Sequence, residues 1–252
     1  MVSQSPNPPH PFPHRFDAAC FETRLRRIGA REPFLFPADD VPEHFKRSSV
    51  LLCFWRQDRD LRVLLTKRAA TLRGHPGQMS FPGGRLEDGE DWVTGALRET
   101  EEEVGIPRNR VEVLGRLDDA WSGAGHLLVP VVGWLDTRPT FTANPAEVEA
   151  IHTPSVSALF DPDVFTREEA RIGDDLYYNS TLRWDEGSVF GLSTDLLIEA
   201  VQWAIGLEEH HGPGRLSSLR SWLHWRTEQE SESTADSRPE SSLTNRPRNR
   251  RA

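Results

Sequence analysis

Lysine is almost missing from this chain. Of its 30 basic residues only Lys46 and Lys67 are lysines and the rest are arginine, a bias that reads as compositional and carries no function of its own. Cysteine is as scarce. Cys20 and Cys53 are the whole complement, which excludes a disulfide framework and favours a reducing, cytoplasmic setting. Both read as small buried apolar filler rather than nucleophiles. No long apolar run exists: the stretch Leu127 to Leu135 contains Pro130 and falls short of the roughly 20 residues that span a bilayer, so a membrane protein is not expected. The first residues lack an apolar segment of signal-peptide type. Positive charge is also in deficit. With 30 Lys+Arg against 39 Asp+Glu the net charge is −9, the opposite of the basic surface that a nucleic-acid binder carries.

What is present falls into three stretches. Residues 1–15, rich in Pro, Ser and Asn, read as a flexible leader with too little apolar area to order itself. Residues 16–226 read as one mixed α/β domain. Phe21, Leu25 and Ile28 fall at i, i+4 and i+7, one face of a short helix for which Gly29 is a stop. Ser48–Trp55 and Leu61–Thr66 read as a hairpin around Gln57–Asp60, and Val111–Arg116, Leu127–Leu135 and Val148–His152 as further strands. Pro154–Phe160 reads as a short helix and Asp195–Ile205 as an amphipathic one behind an N-cap at Ser193 or Thr194; Leu216–Trp225 suggests one more. Residues 227–252 pass from acidic to basic with almost no large apolar side chain, the pattern of a disordered charged tail. Trp121 and Trp184 read as core packing rather than pocket lining.

The excess negative charge is not spread evenly. Gly84 to Ile106 holds eight acidic residues and two arginines, a local charge of 2 − 8 = −6. Asp91–Val104 has helical character and ends at Gly105, a good left-handed cap. Val93, Ala96, Leu97, Thr100 and Val104 share one face as a core stripe, while Glu99, Glu102 and Glu103 converge on a second. Three carboxylates in the last turns of a helix repel one another and oppose its dipole, a conflict that a hard cation such as Mg²⁺ or Mn²⁺ relieves. A charge run is ordinarily solvated surface; the spacing of this one argues otherwise.

Gly84, Glu90, Arg98, Glu99, Thr100, Glu102, Glu103, Gly105 and Ile106 fill the pattern G-x5-E-x7-R-E-U-x-E-E-x-G-U, with Thr100 the one soft departure from an aliphatic U. Its seven fixed identities have a chance match on the order of 10⁻⁹ per start position. The segment resembles the Nudix box. That resemblance implies an α/β/α sandwich around a mixed central sheet, and hydrolysis of a nucleoside diphosphate linked to another group. It also implies roles: Glu99 and Glu103 as main metal ligands, Glu102 as a further ligand or base, and the Gly83 carbonyl completing the coordination. Arg98 and Glu90 would form an ion pair that orients the catalytic face.

The segment just upstream is similar to a narrower pattern. Leu64, Leu65, Thr66, Arg68, Ala69, Arg73, Gly77, Phe81, Pro82, Gly83 and Gly84 match L-L-T-x-R-[SA]-x3-R-x3-G-x3-F-P-G-G, which marks the coenzyme A pyrophosphatase branch of that family. The resemblance implies a small-molecule substrate, coenzyme A or an acyl derivative, cleaved to 3′,5′-ADP and 4′-phosphopantetheine. Arg68 and Arg73 are the candidates for contact with the phosphate groups, the 3′-phosphate included, with Gly84 and Glu147 on the substrate side. Glu102, or a later Glu such as Glu147, would accept the proton, although Glu147 follows an Asn-Pro turn and reads first as solvated turn decoration. Two alternatives stay open: hydrolysis of another nucleoside diphosphate derivative such as ADP-ribose or NADH, and a non-catalytic binding or regulatory protein of the same fold. The oligomeric state is also open, a homodimer among the options.

Overall fold

The computed structural model describes residues 11–12, 15–72, 74–172, 175–185, 187–207 and 209–236. In chain order the main elements are α1 (Ala18–Leu25), β1 (Lys46–Gln57), β2 (Asp60–Val63), β3 (Leu65–Arg68), β4 (Met79–Ser80), β5 (Gly83–Arg85), α2 (Trp92–Val104), β6 (Glu112–Arg116), β7 (Ala120–Ser122), β8 (His126–Leu135), β9 (Val148–His152), β10 (Phe165–Ile172), β11 (Asp175–Trp184), β12 (Gly187–Phe190), α3 (Leu192–Ala204) and α4 (Gly212–Asp236).

The apolar run from Val50 to Trp55 explains the layering. A strand sends successive side chains to opposite faces, so a run without polar interruptions needs cover on both. Leu51, Cys53 and Trp55 pack with Ala96 and Val104 of α2, whereas Leu52 and Phe54 pack with Phe21 and Leu25 of α1 and with Leu196, Leu197, Ala200 and Val201 of α3. The result is an α/β/α sandwich around a mixed sheet. β1 runs parallel to β8, and antiparallel to β2 and β5 on its other edge; β6 and β7 flank β8 antiparallel.

The expected hairpin partner of β1 divides in two. Asp60–Val63 stays with β1, but Leu65–Arg68 leaves for a second small sheet of order β4-β3-β9. This crossing brings Arg68 into register with Val148, beside the Asn144–Glu147 turn. A third sheet, β10-β11-β12, had no counterpart in the sequence reading.

Other expectations need correction. Phe12, placed in the flexible leader, is buried, its ring 5.2 Å from that of Phe160; most of the remaining leader lies outside the described residues. Gly29 sits within a 3-10 turn rather than ending a helix. A Cβ there would lie 2.5 Å from the Leu114 carbonyl oxygen, so close approach to β6 requires glycine. Cys20 is exposed on α1, and only Cys53 is buried. α3 starts earlier than expected, with Gly191 at its N-cap and no side-chain cap. α4 continues past Thr227 to Asp236, so the first part of the expected disordered tail is helical, and residues 237–252 lie outside the described residues. Trp121 packs on Trp222 and donates its indole N–H to the Arg215 carbonyl at 2.9 Å. Among the described residues no helix is long and apolar enough to cross a membrane.

A buried ionic network fastens the start of α4 to the sandwich. Arg31 reaches Asp118 at 2.7 Å and Glu199 at 3.0 Å, and Arg215 reaches Glu199 at 2.7 Å. The backbone N–H groups of Phe34 and Gly212 donate to Asp118 at 2.8 and 2.9 Å. Removing one member of such a network leaves uncompensated buried charge, which costs about 3–5 kcal/mol. Asp118→Ala is therefore expected to lower the urea-unfolding free energy by about that amount. A loss below about 1 kcal/mol, the scale of a surface pair, would contradict this account of the network.

Candidate metal centre

The site is built on α2 and the loop that leads into it. Asp91 caps the helix by accepting the Thr94 N–H at 2.8 Å, and Gly105 ends it in the left-handed region at φ 74°. Inside the helix the buried positions are Gly95, Ala96, Arg98, Thr100, Glu103 and Val104. Val93, expected on the core stripe, is instead 38% exposed. The buried arc is turned toward the loop because Leu86 lies over Gly95, where a Cβ would come within 2.3 Å of it. Thr100 fits its fully buried position by donating its hydroxyl to the Ala96 carbonyl at 2.7 Å.

Turning the helix this way aims Glu99 and Glu103 at the Pro82–Gly84 segment. The Gly83 N–H donates to Glu103 Oε2 at 3.3 Å, the contact through which Gly83 meets this cluster. Gly84 lies directly beneath the Glu99 carboxylate: a Cβ on it would stand 2.4 Å from Glu99 Cδ. Gly84, expected on the substrate side, is thus first the floor on which a carboxylate rests.

The third carboxylate arrives from far along the chain. The Asn144 N–H donates to the Glu103 carbonyl and the Thr142 N–H to the Val104 carbonyl, both at 2.9 Å, so this segment satisfies the open end of α2. The turn that follows is closed by Asn144, whose side chain accepts the Ala146 N–H at 3.1 Å. The Glu147 carbonyl accepts the Ala69 N–H at 2.8 Å. Carboxylate oxygens of Glu99, Glu103 and Glu147 consequently lie within 4.8 Å of one another. Glu147 does sit at a turn, as its sequence suggested, and the turn delivers it to the cluster.

Glu102 does not join these three. It is 51% exposed and accepts from Arg98 Nη1 at 3.1 Å, the same nitrogen that donates to Glu99 at 3.0 Å. The expected Arg98–Glu90 pair is bidentate, at 2.9 and 3.0 Å. Hydrogen bonding by Arg98 holds the Glu90 carboxyl below its usual range. Arg68 lies at the root of the 69–78 loop, its Nε donating to the Gly74 carbonyl at 3.3 Å, and its charge favours ionised Glu103. Arg73 lies outside the described residues.

The donor set suits a hard divalent cation. All three groups offer oxygen, Glu103 is only 4% exposed, and no side chain donates to it among the described residues. Burial, then the neighbouring charge of Glu99, pushes the Glu103 carboxyl up to about 8; burial also raises Glu99, against the pull of Arg98.

Comparison with known proteins gives a consistent result. The NUDIX domain family matches residues 45–176. The chain is similar to Nudix hydrolase 15, mitochondrial, of Arabidopsis thaliana, with 35% identity over 189 residues, covering 70% of this chain and 65% of the relative. It is also similar to Nudix hydrolase 22, chloroplastic, of the same plant, at 44% over 133 residues (50% of this chain, 41% of the relative). Uncharacterized Nudix hydrolase NudL of Photorhabdus laumondii matches at 50% over 91 residues (35% and 48%). The chain therefore spans between 41% and 65% of these relatives' lengths. Among solved structures, a MutT/nudix family protein from Enterococcus faecalis aligns over 82% of this chain and 83% of its own, with 15% identity and a TM-score of 0.44.

Two outcomes test the centre. A Cβ at Gly84 first meets the carboxylate of Glu99, a side-chain end rather than backbone, so Gly84→Ala should keep the unfolding midpoint while weakening Mn²⁺ binding by roughly 10–100-fold in calorimetry; unchanged affinity would contradict the close packing. The second is pH dependence. Between its ordinary value of 4.5 and about 8, Glu103 holds a proton in the folded state that the unfolded chain has lost. That contribution is full below 4.5 and gone above about 8, so metal-free stability should fall as pH rises through this window. In EDTA the decline should be steeper for the wild type than for Glu103→Gln, and added Mn²⁺ should offset it. Equal slopes would refute the assignment.

Proposed function

Because the chain belongs to the Nudix family, we propose that it is a metal-dependent pyrophosphohydrolase that cleaves coenzyme A, or its acyl derivatives, to 3′,5′-ADP and 4′-phosphopantetheine or its acyl form. The observation that carries this reading is the unbroken run from Leu64 to Ile106. Its first part ends in the glycines that pack against Glu99 and Glu103, and its second part supplies those carboxylates. Substrate pattern and two of the three clustered carboxylates lie on one continuous piece of chain.

In this reading Glu99, Glu103 and Glu147 hold Mg²⁺ or Mn²⁺, which when bound neutralises phosphate charge and makes water a better nucleophile. Arg98 and Glu90 position Glu99 from the side away from the cluster. Arg68, whose charge favours ionised Glu103, is the candidate for phosphate contact at the edge of the centre, and Arg73, outside the described residues, is kept as a second candidate from the sequence pattern. Glu102 keeps one oxygen, Oε1, without a hydrogen-bond partner among the described residues and half open to solvent, which suits it to accept a proton. A cytoplasmic setting fits two free cysteines.

The test is a substrate panel of coenzyme A, acetyl-CoA, ADP-ribose, NADH and deoxynucleoside triphosphates with Mg²⁺ or Mn²⁺. Coenzyme A or its acetyl form should be the best substrate, and Glu103→Gln should lower kcat by on the order of 10²–10³ with the fold intact. Cleavage of ADP-ribose without cleavage of coenzyme A would overturn the substrate assignment, and near-normal activity in Glu103→Gln would overturn the centre.

A further inference from the structure

A second charged feature lies where β1 and β5 begin and end. Lys46 is in register with His126 of β8, and Ser48 with Arg85 of β5. Residues two apart on a strand share a face, and register partners share it with them, so Lys46, Ser48, Arg85 and His126 form one patch. Ser48 Oγ and His126 Nδ1 are 2.7 Å apart, which fixes the imidazole. Lys46, Arg47 and Arg85 also line an open cleft of about 540 Å³, with the half-buried Trp92 as an aromatic wall.

The cations of this cleft are unanswered. Among the described residues none of Lys46, Arg47 and Arg85 has an ion-pair partner. Three carboxylates share the lining, but Glu90 is committed to Arg98, and Glu87 and Asp88 are exposed on the turn at its rim. At His126 the surroundings are positive: burial, then Lys46, Arg85 and His75 of the 69–78 loop, hold its pKa down, and no carboxylate opposes them. Strand alternation sends Arg85 to the side of β5 away from the side on which Gly84 meets Glu99. Gly84 of the metal centre and Arg85 of the patch are thus neighbours on β5 that face opposite sides of it, and β5 pairs with β1 alone among the described residues, so its other edge separates the two sites.

We infer that Lys46 and Arg85, with His126 held by Ser48, form a second anion subsite that takes a phosphate monoester of the substrate, separate from the pyrophosphate at Glu99, Glu103 and Glu147. The inference rests on the proposed function, since in coenzyme A such a monoester is carried on the ribose, and Trp92 gives the attached base a surface to pack on. Cationic side chains without an ion-pair partner among the described residues, beside an imidazole held by Ser48, match a phosphate dianion.

Calorimetric binding of 3′,5′-ADP and of 5′-AMP to the full chain with Mg²⁺ reads this subsite directly. The wild type should prefer 3′,5′-ADP by about 10-fold or more, and Arg85→Gln and Lys46→Gln should each reduce the preference to about 2-fold, with circular dichroism unchanged. The ratio of KM for dephospho-coenzyme A to KM for coenzyme A should fall in parallel. A wild type without the preference, or variants that keep it, would overturn the subsite. If the preference is present and lost as expected while coenzyme A is not cleaved, the subsite stands and the proposed reaction falls. If coenzyme A is cleaved while the variants discriminate like the wild type, the reaction stands and the subsite falls.

Discussion

Arg98 presents five N–H donors, and each is bonded. Nε and Nη2 hold the two oxygens of Glu90, Nη2 also reaches the Arg85 carbonyl at 2.9 Å, and Nη1 is shared by Glu99 and Glu102. A guanidinium this deeply buried is tolerable only when every donor is met. The consequence is that four pieces of the site become one. The Glu87–Glu90 turn, the end of β5, the face of α2 and the direction of Glu99 cannot move independently. Glu99, drawn to Arg98 on one side and resting on Gly84 below, is left to share its remaining side with Glu103 and Glu147.

That arrangement sets local electrostatics against stability. Three carboxylates are gathered where burial and mutual repulsion disfavour their charge, and the raised Glu99 and Glu103 carboxyls report the conflict. The fold sustains it because neighbouring contacts are strong: the 142–147 segment closes the end of α2, and β1 is buried on both faces. Strain confined to one site and supported by the surrounding packing is the usual form of a preorganised centre. The net charge of the chain takes its meaning from this. A deficit that first argued only against nucleic acid lies largely in one loop and helix. Beside it the charge changes sign, at Arg85 on β5 and Lys46 on β1.

The readable parts of the site are those made by short-range geometry. The α2 helix, its Gly105 cap and the approach of Glu99 to Glu103 follow from spacing within a single helix and are legible in the sequence, while the Arg98–Glu90 pair is legible only through the resemblance to the Nudix box. Glu147 is legible only as a candidate base at a turn and not as a member of the carboxylate cluster, because its place depends on β3 leaving the main sheet to pair with β9, a tertiary event with no local signature beyond the Asn-Pro turn. Glu102 looked equivalent to its neighbours on a helical wheel, but the wheel does not show that Arg98 lies between it and the cluster. Val93 departs from the stripe for a related reason: helical spacing alone does not include Leu86 of the preceding loop, which decides which arc is covered. Phe12 stood in a Pro-rich context that hid one good anchor. The basic patch was invisible because its members come from three strands.

The claim on which the rest stands is that Glu99, Glu103 and Glu147 form a single cation site. Anomalous diffraction from crystals soaked in Mn²⁺ addresses it directly. The account predicts a peak at about 2.1 Å from carboxylate oxygens of all three residues. A peak on the outer face of α2 at Glu102, or none near Glu103, would contradict it.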